Sequence, residues 1–285
     1  MTARRLAVAG VLLACWPGAL AAQTLRTFTV SRDRGGETAL SARVEFAAGT
    51  LRLGAGQRGT LYRMDLDFDA ERFTPLARFD GSGATATLGV RGLGDGGFRM
   101  VDQRQLAQRA VIALAPDVPL HLDVTVGAGF GTVDLGGLDL ADAAIHTAAS
   151  RTTVRVSRPT TGHCTSLDLD AGAAELSTET LGNARCANIR FEGGVGQVTL
   201  DLTGEWSDAL RVEAKMALGE LRLRLPSDAG VEIVLDRTLT SFQPTGFTRR
   251  GAVYTSANFS QAKRTIHVDV TTAVGGIGVE WVGGK

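Results

Sequence analysis

Gly131-Thr132-Val133-Asp134-Leu135 opens a pattern that returns as Thr152-Thr153-Val154-Arg155-Val156, Ala174-Glu175-Leu176-Ser177-Thr178, Gly196-Gln197-Val198-Thr199-Leu200 and Gly219-Glu220-Leu221-Arg222-Leu223. The anchors Val133, Val154, Leu176, Val198 and Leu221 are 21, 22, 22 and 23 residues apart. A second series, Ile145, Leu167, Ile189, Leu210 and Ile233, steps by 22, 22, 21 and 23. A fixed period of this size marks a solenoid, in which a single unit cannot bury its own apolar face and stacked units share one interior. Within each unit the apolar residues alternate, as in Val133/Leu135 and Leu167/Leu169, which is the signature of strands buried on one side. The expected fold is therefore all-β: a single-stranded parallel β-solenoid with coils of about 22 residues. Right-handed coils are the usual sense for parallel crossovers.

The cysteines give an independent check on that register. Cys164 lies ten residues after Val154 and Cys186 ten after Leu176, so both hold the same place on successive coils. Neighbouring coils stack roughly 4.8 Å apart, within the Cα separation of about 4.4–6.8 Å that a disulfide accepts. The expectation is a Cys164–Cys186 bridge. A metal site built on His163 and Cys164 lacks a second ligand pair, and nothing in the chain implies a cofactor.

Residues 1–22 read as a signal peptide. Arg4-Arg5 form a basic start, Leu6 to Trp16 an apolar run, and Ala19-Leu20-Ala21 a small-residue cleavage site. The apolar run is too short to span a bilayer, and no later stretch reaches 18 apolar residues, so no transmembrane segment is expected in the mature chain. Leu12-Leu13-Ala14-Cys15 resembles a lipoprotein cleavage box, which makes a lipid anchor at Cys15 the alternative. Either route leads to the periplasm, the extracellular space or the cell envelope, where a disulfide persists.

Formal charge is zero, from 30 basic and 30 acidic residues scattered along the chain. Nucleic acid and an anionic membrane surface are thereby disfavoured as the main partner, because both need a basic field. The 36 glycines fit many tight turns, and aromatic residues, at 6%, are too scarce for an extended sugar-stacking surface.

Three regions follow. Residues 1–22 are the signal. Residues 23–115 are β-rich without the strict step, broken by the glycine-dense Gly92 to Gly97, with a short helix considered around Asp102 to Arg109. Residues 116–285 form the solenoid, with a flanking insertion at 237–260 that carries Pro244 and Gly246. After it, Arg264 to Val270 and Gly278 to Val282 form the last coil. Terminal coils need caps because their open backbone edge invites pairing. Phe242 and Phe247 in the insertion are candidate partner contacts, with packing beneath the cap as the simpler reading.

Outward side chains form columns between coils: Asp134, Arg155, Ser177, Thr199 and Arg222 on one strand, His146, Asp168, Arg190 and Arg211 on the other. Glu192 and Glu213 are expected as like-charged neighbours. Catalytic signals are sparse. His121, His146, His163 and His267 are far apart, and no nucleophile elbow, zinc-protease or Walker motif occurs. Gly127 to Gly131 and Gly193 to Gly196 lead into strands rather than helices, so no helix N-terminus awaits a phosphate. Asp168, Asp170 and Glu192 would form an acidic patch; retaining glycosidases need two carboxyls about 5–5.5 Å apart.

Pro119 to Leu138 (PLHLDVTVGAGFGTVDLGGL) resembles the bacterial toast-rack proteins, domains related to the C-terminal part of the cell-wall-stress regulator LiaF. The likeness continues through Glu179 to Ala184, Gly193 to Gly204 (GGVGQVTLDLTG), Leu218 to Gly230 and the upstream Leu51 to Gly56, nearly the whole mature chain. It implies a β-solenoid without a known active site, among relatives that carry the label of adhesins. LiaF spans the membrane and represses a sensor kinase; this chain lacks those helices, so that role is not carried over. The expectation is an exported, non-enzymatic envelope module, structural, adhesive or stress-associated, whose partner is an envelope protein or a glycan. The alternatives are a carbohydrate-active enzyme on a β-helix and a periplasmic sensor that acts through a membrane partner.

Overall fold

The computed structural model describes residues 25–93, 106–206 and 209–283. The expected signal peptide, Cys15 and the first half of the helix considered around Asp102 to Arg109 lie outside these residues; Arg109 itself opens a strand.

The repeat folds as sequence periodicity dictates. Long strands β7 (Leu120–Asp134), β8 (Leu140–Arg155), β9 (Ser166–Glu179), β10 (Asn188–Asp201) and β11 (Ala209–Pro226) stack in parallel, each on the next. Each is one coil, bent near its middle so that its halves line two faces. The bend falls at Gly129, Gly196 and Gly219, whose φ values of 103°, 151° and 135° suit a residue without Cβ. At Gly219 a Cβ would strike the carbonyl oxygen of Gly196 on the coil beneath, so this corner position is held to glycine by the neighbour as well as by φ. Inward residues such as Val124, Val126, Val133, Leu169, Leu200 and Leu221 are fully buried in one continuous core. Each such side chain contributes about 1.5–3 kcal/mol relative to exposure.

In the first series register differs from expectation at one step. Val133 faces Val154 and Leu176 faces Val198, but Val154 faces Thr178, and Leu176 faces Thr152. The β8-to-β9 offset is therefore two residues longer than the repeat suggests. Alternation has period two, so a shift of two keeps every side chain on its own face, and apolar pattern alone does not distinguish the registers. Ile145 likewise faces Leu169, and Ile189 faces Val212.

The N-terminal end is assembled from shorter pieces. β2 (Leu40–Ala55) is a full coil that pairs with β7. Along its other edge lie β5 (Thr85–Gly92), paired to Ser41–Phe46, and β6 (Arg109–Leu114), paired to Thr50–Ala55, which together replace one coil. β3 (Thr60–Asp69) and β4 (Phe73–Asp80) run antiparallel on β6 and β5, and β1 (Leu25–Asp33) runs antiparallel on β3. The antiparallel layer caps the parallel stack, as an open terminal coil requires.

At the other end the chain order is broken. β12 (Gly230–Phe242) follows β11 in sequence but does not pair with it. β15 (Thr265–Val282) lies between them, parallel to both, and β14 (Val253–Ser256) with β13 (Phe247–Arg250) caps the first half of β12. The strand expected as the last coil is thus an interior one. Arg237–Phe242, expected within the insertion, continues β12 along β15.

Candidate functional site

Cys164 and Cys186 are joined in a disulfide, with Cα atoms 4.2 Å apart, and both are buried. The bond ties the turns preceding β9 and β10. Phe242 lies buried with its ring edge-on to Tyr254 at 4.8 Å, and half-buried Phe247 stacks on Trp281 at 5.1 Å. Both rings are packed within the chain, Phe242 of β12 against Tyr254 of the cap and Phe247 of the cap against Trp281 of β15.

The outer face of the first half-strands carries charged rungs. Asp168 and Glu213 lie on either side of Arg190, at 3.2 and 3.4 Å. His146 meets Asp170 at 2.6 Å, and Lys215 meets Glu192 at 3.5 Å and Glu213 at 2.6 Å. Lys215 and Arg190 hold the Glu213 carboxyl below its ordinary value. The expected columns are corrected accordingly: His146 stands beside Asp170 rather than Asp168, Arg190 beside Glu213 rather than Arg211, and Glu192 beside Lys215 rather than Glu213. The anticipated Glu192–Glu213 repulsion is replaced by a Glu192–Lys215 neighbour pair, an opposite-charge rung worth about 0.2–1 kcal/mol, while the like-charged neighbours are Asp170 with Glu192 and Glu213 with Asp269.

These rungs border a groove of about 620 Å³ that runs across the coils, floored by Gly172, Gly194, Ala217 and Ala273 and walled by Asp170, Glu192, Lys215 and Asp236. It has no aromatic lining. Asp168 pairs with Arg190, Asp170 with His146 and Glu192 with Lys215, while Asp170 and Glu192, expected together, do stand side by side across the β9–β10 rung. A general acid needs a carboxyl raised toward neutrality; Glu213, beside them, is shifted the opposite way. Among the described residues no group of His, Cys, Asp and Glu is placed to hold a metal ion. Nor is any helix there long and apolar enough to cross a membrane.

The second face carries Asp134–Arg155 at 2.9 Å and Arg151–Glu175 at 2.7 Å. Its edge also holds Arg224, which reaches the buried Asp201 at 2.6 Å and Glu280 at 3.4 Å. Burial pushes the Asp134 carboxyl up, but hydrogen bonds from the Gly136 and Ser157 N–H groups and from Arg155 outweigh it, leaving the group below its ordinary value. A smaller groove of about 400 Å³ opens here, lined by Arg52, Gly54, Val111, Ala113, Arg155 and Arg158 among others.

Two features escape the sequence reading. Val195, Leu218, Val274 and Leu239 are exposed and paired rung to rung along the corner, an apolar ladder ending at Leu239, 72% exposed. Their signal is local: Val195, Leu218 and Val274 each precede a corner glycine, Gly196, Gly219 or Gly275. Arg52 and Arg158 line one groove only because β2 stacks on β7, beside the turn that follows β8.

The profile of the N-terminal domain of toast-rack proteins, DUF2154, matches residues 21–165. The chain belongs to this toast-rack family. No curated protein matches it. Among solved structures it is similar to a "putative cell adhesion protein" of Clostridium sporogenes ATCC 15579, with 14% identity, 90% of this chain and 100% of that chain covered, and a TM-score of 0.47. It is also similar to a "putative adhesin" of Bacteroides fragilis NCTC 9343, with 12% identity, 91% and 98% coverage and a TM-score of 0.37.

Proposed function

We propose that this toast-rack chain is an exported, non-enzymatic module of the cell envelope that acts as a rigid scaffold and binding surface. The observation that carries the reading is the pairing of Asp168, Asp170 and Glu192 with Arg190, His146 and Lys215. Carboxylates engaged by side chains of neighbouring coils hold those coils in register, whereas acid–base catalysis needs one carboxyl protonated and another free. Membership of the toast-rack family supports the same reading, and the buried disulfide suits an oxidising compartment.

The test is cell fractionation of the full chain with crosslinking in intact envelopes, followed by incubation of the purified protein with a glycan panel. Recovery in the envelope fraction with a crosslinked partner and no cleaved glycan is the expected result. Cytoplasmic recovery, or turnover of any glycan that disappears in Asp168→Asn or Asp170→Asn, overturns it.

A further inference from the structure

We propose that the smaller groove, where β2, β6, β7 and β8 meet, binds an oxyanion, a carboxylate or phosphate group, through Arg52 and Arg158. The proposal deepens, and rests on, the reading of the chain as a binding module.

Several guanidinium groups on the outer faces are engaged by a neighbouring coil: Arg43 by Asp123, Arg91 by Glu45, Arg151 by Glu175, Arg190 by Asp168 and Glu213. Arg52 and Arg158 are not, and they share one groove. Both are exposed, both line the groove, and among the described residues neither has an ion-pair or hydrogen-bond partner. The one carboxylate in the lining is Asp134. Its oxygens already accept the N–H groups of Gly136 and Ser157 at 3.0 and 3.2 Å and Arg155 Nε at 2.9 Å. Asp134 is therefore ionised at neutral pH and satisfied where it is, which leaves the charge of Arg52 and Arg158 uncompensated.

The shape suits a small anionic group. Gly54 and Ala113 keep the floor low. Gly137, with φ at 74°, leaves room for the Arg158 side chain to lie across it; a Cβ there would collide with the guanidinium. Val111, paired beside Arg52 and 43% exposed, offers an apolar flank for the carbon body behind the anion. Guanidinium forks take carboxylate or phosphate through paired, charge-assisted hydrogen bonds, and a neutral ligand gains none of this.

The test is a backbone-amide NMR titration of the full chain with inorganic phosphate and with glucuronate, and with glucose as the neutral control. Saturable shifts at Gly54, Gly136 and Ser157 with both anions and none with glucose are expected. Arg52→Gln combined with Arg158→Gln should weaken binding about tenfold or more, with spectra elsewhere unchanged. Arg52→Lys should lie between, and Arg211→Gln on the other face should have no effect. Sedimentation with polygalacturonate and with phosphatidylglycerol vesicles then separates the sources: loss in the double variant of one or the other assigns the anion to a polysaccharide or to a lipid headgroup. Absence of shifts with both anions, equal shifts with glucose, or full binding in the double variant overturns the proposal. Fractionation and crosslinking judge the envelope reading separately, so failure here leaves that reading to its own test.

Discussion

Val212 of β11 and Ile233 of β12 stand two coils apart with Val268 of β15 between them, although β12 follows β11 directly in sequence. Val268 is buried and has an apolar neighbour on each side. Val268→Ala should cost about 2 kcal/mol in urea unfolding, and Val268→Asp, which buries an unpaired charge, should abolish folding. Val234→Ala, on an exposed position of the edge coil, should stay within about 0.5 kcal/mol. Equal effects at Val268 and Val234 would contradict the burial of Val268 between Val212 and Ile233.

The corner glycines give a second expectation. Gly219→Ala must put a Cβ against the Gly196 carbonyl oxygen at a positive φ. Loss of about 3 kcal/mol or more is expected. Gly278→Ala, with nothing within 4 Å of the added carbon, should be nearly neutral. Thermal unfolding of the two variants side by side decides the point.

Much of this architecture was legible in the sequence. The step between Leu176, Val198 and Leu221 reports true rungs, and the cysteine spacing named the disulfide. Register at β8 to β9 was not legible, because Thr152 and Val154 both face inward and a slip of two exchanges one for the other. That ambiguity misplaced His146 by one rung. The expected partnership of Glu192 with Glu213 failed for a related reason: the β10-to-β11 offset aligns Glu192 with Lys215. The place of β15 was hidden more deeply. Periodicity records which residues face inward, and Val268 meets that condition equally well at the end of the stack or inside it. The Arg52–Arg158 groove was hidden because its walls come from strands more than a hundred residues apart.

The disulfide links residues 22 apart. In the chain-entropy account its removal should lower unfolding free energy by about 3 kcal/mol. Chemical denaturation with and without reductant, beside the Cys164→Ala/Cys186→Ala variant, measures this. Identical midpoints in all conditions would refute it.

Asp134 sets an acid limit. Its folded carboxyl lies below the ordinary value of 3.8, so its contribution to stability is complete above that value and fades as pH falls through the folded one. Asp134→Asn should cost about 2 kcal/mol at neutral pH. The gap between wild type and variant should narrow once the pH drops below 3.8. Thermal melts across pH 2 to 7 follow it; a gap constant over that whole range would show that the carboxylate's charge is not what stabilises the turn.

With β15 bonded on both flanks, tension applied at Val282 loads its contacts to β11 and β12 in shear, many at a time, rather than peeling a free edge bond by bond. The chain cannot fray coil by coil from its own tail. Pulled at β15, the chain would resist like a bolt seated between two plates.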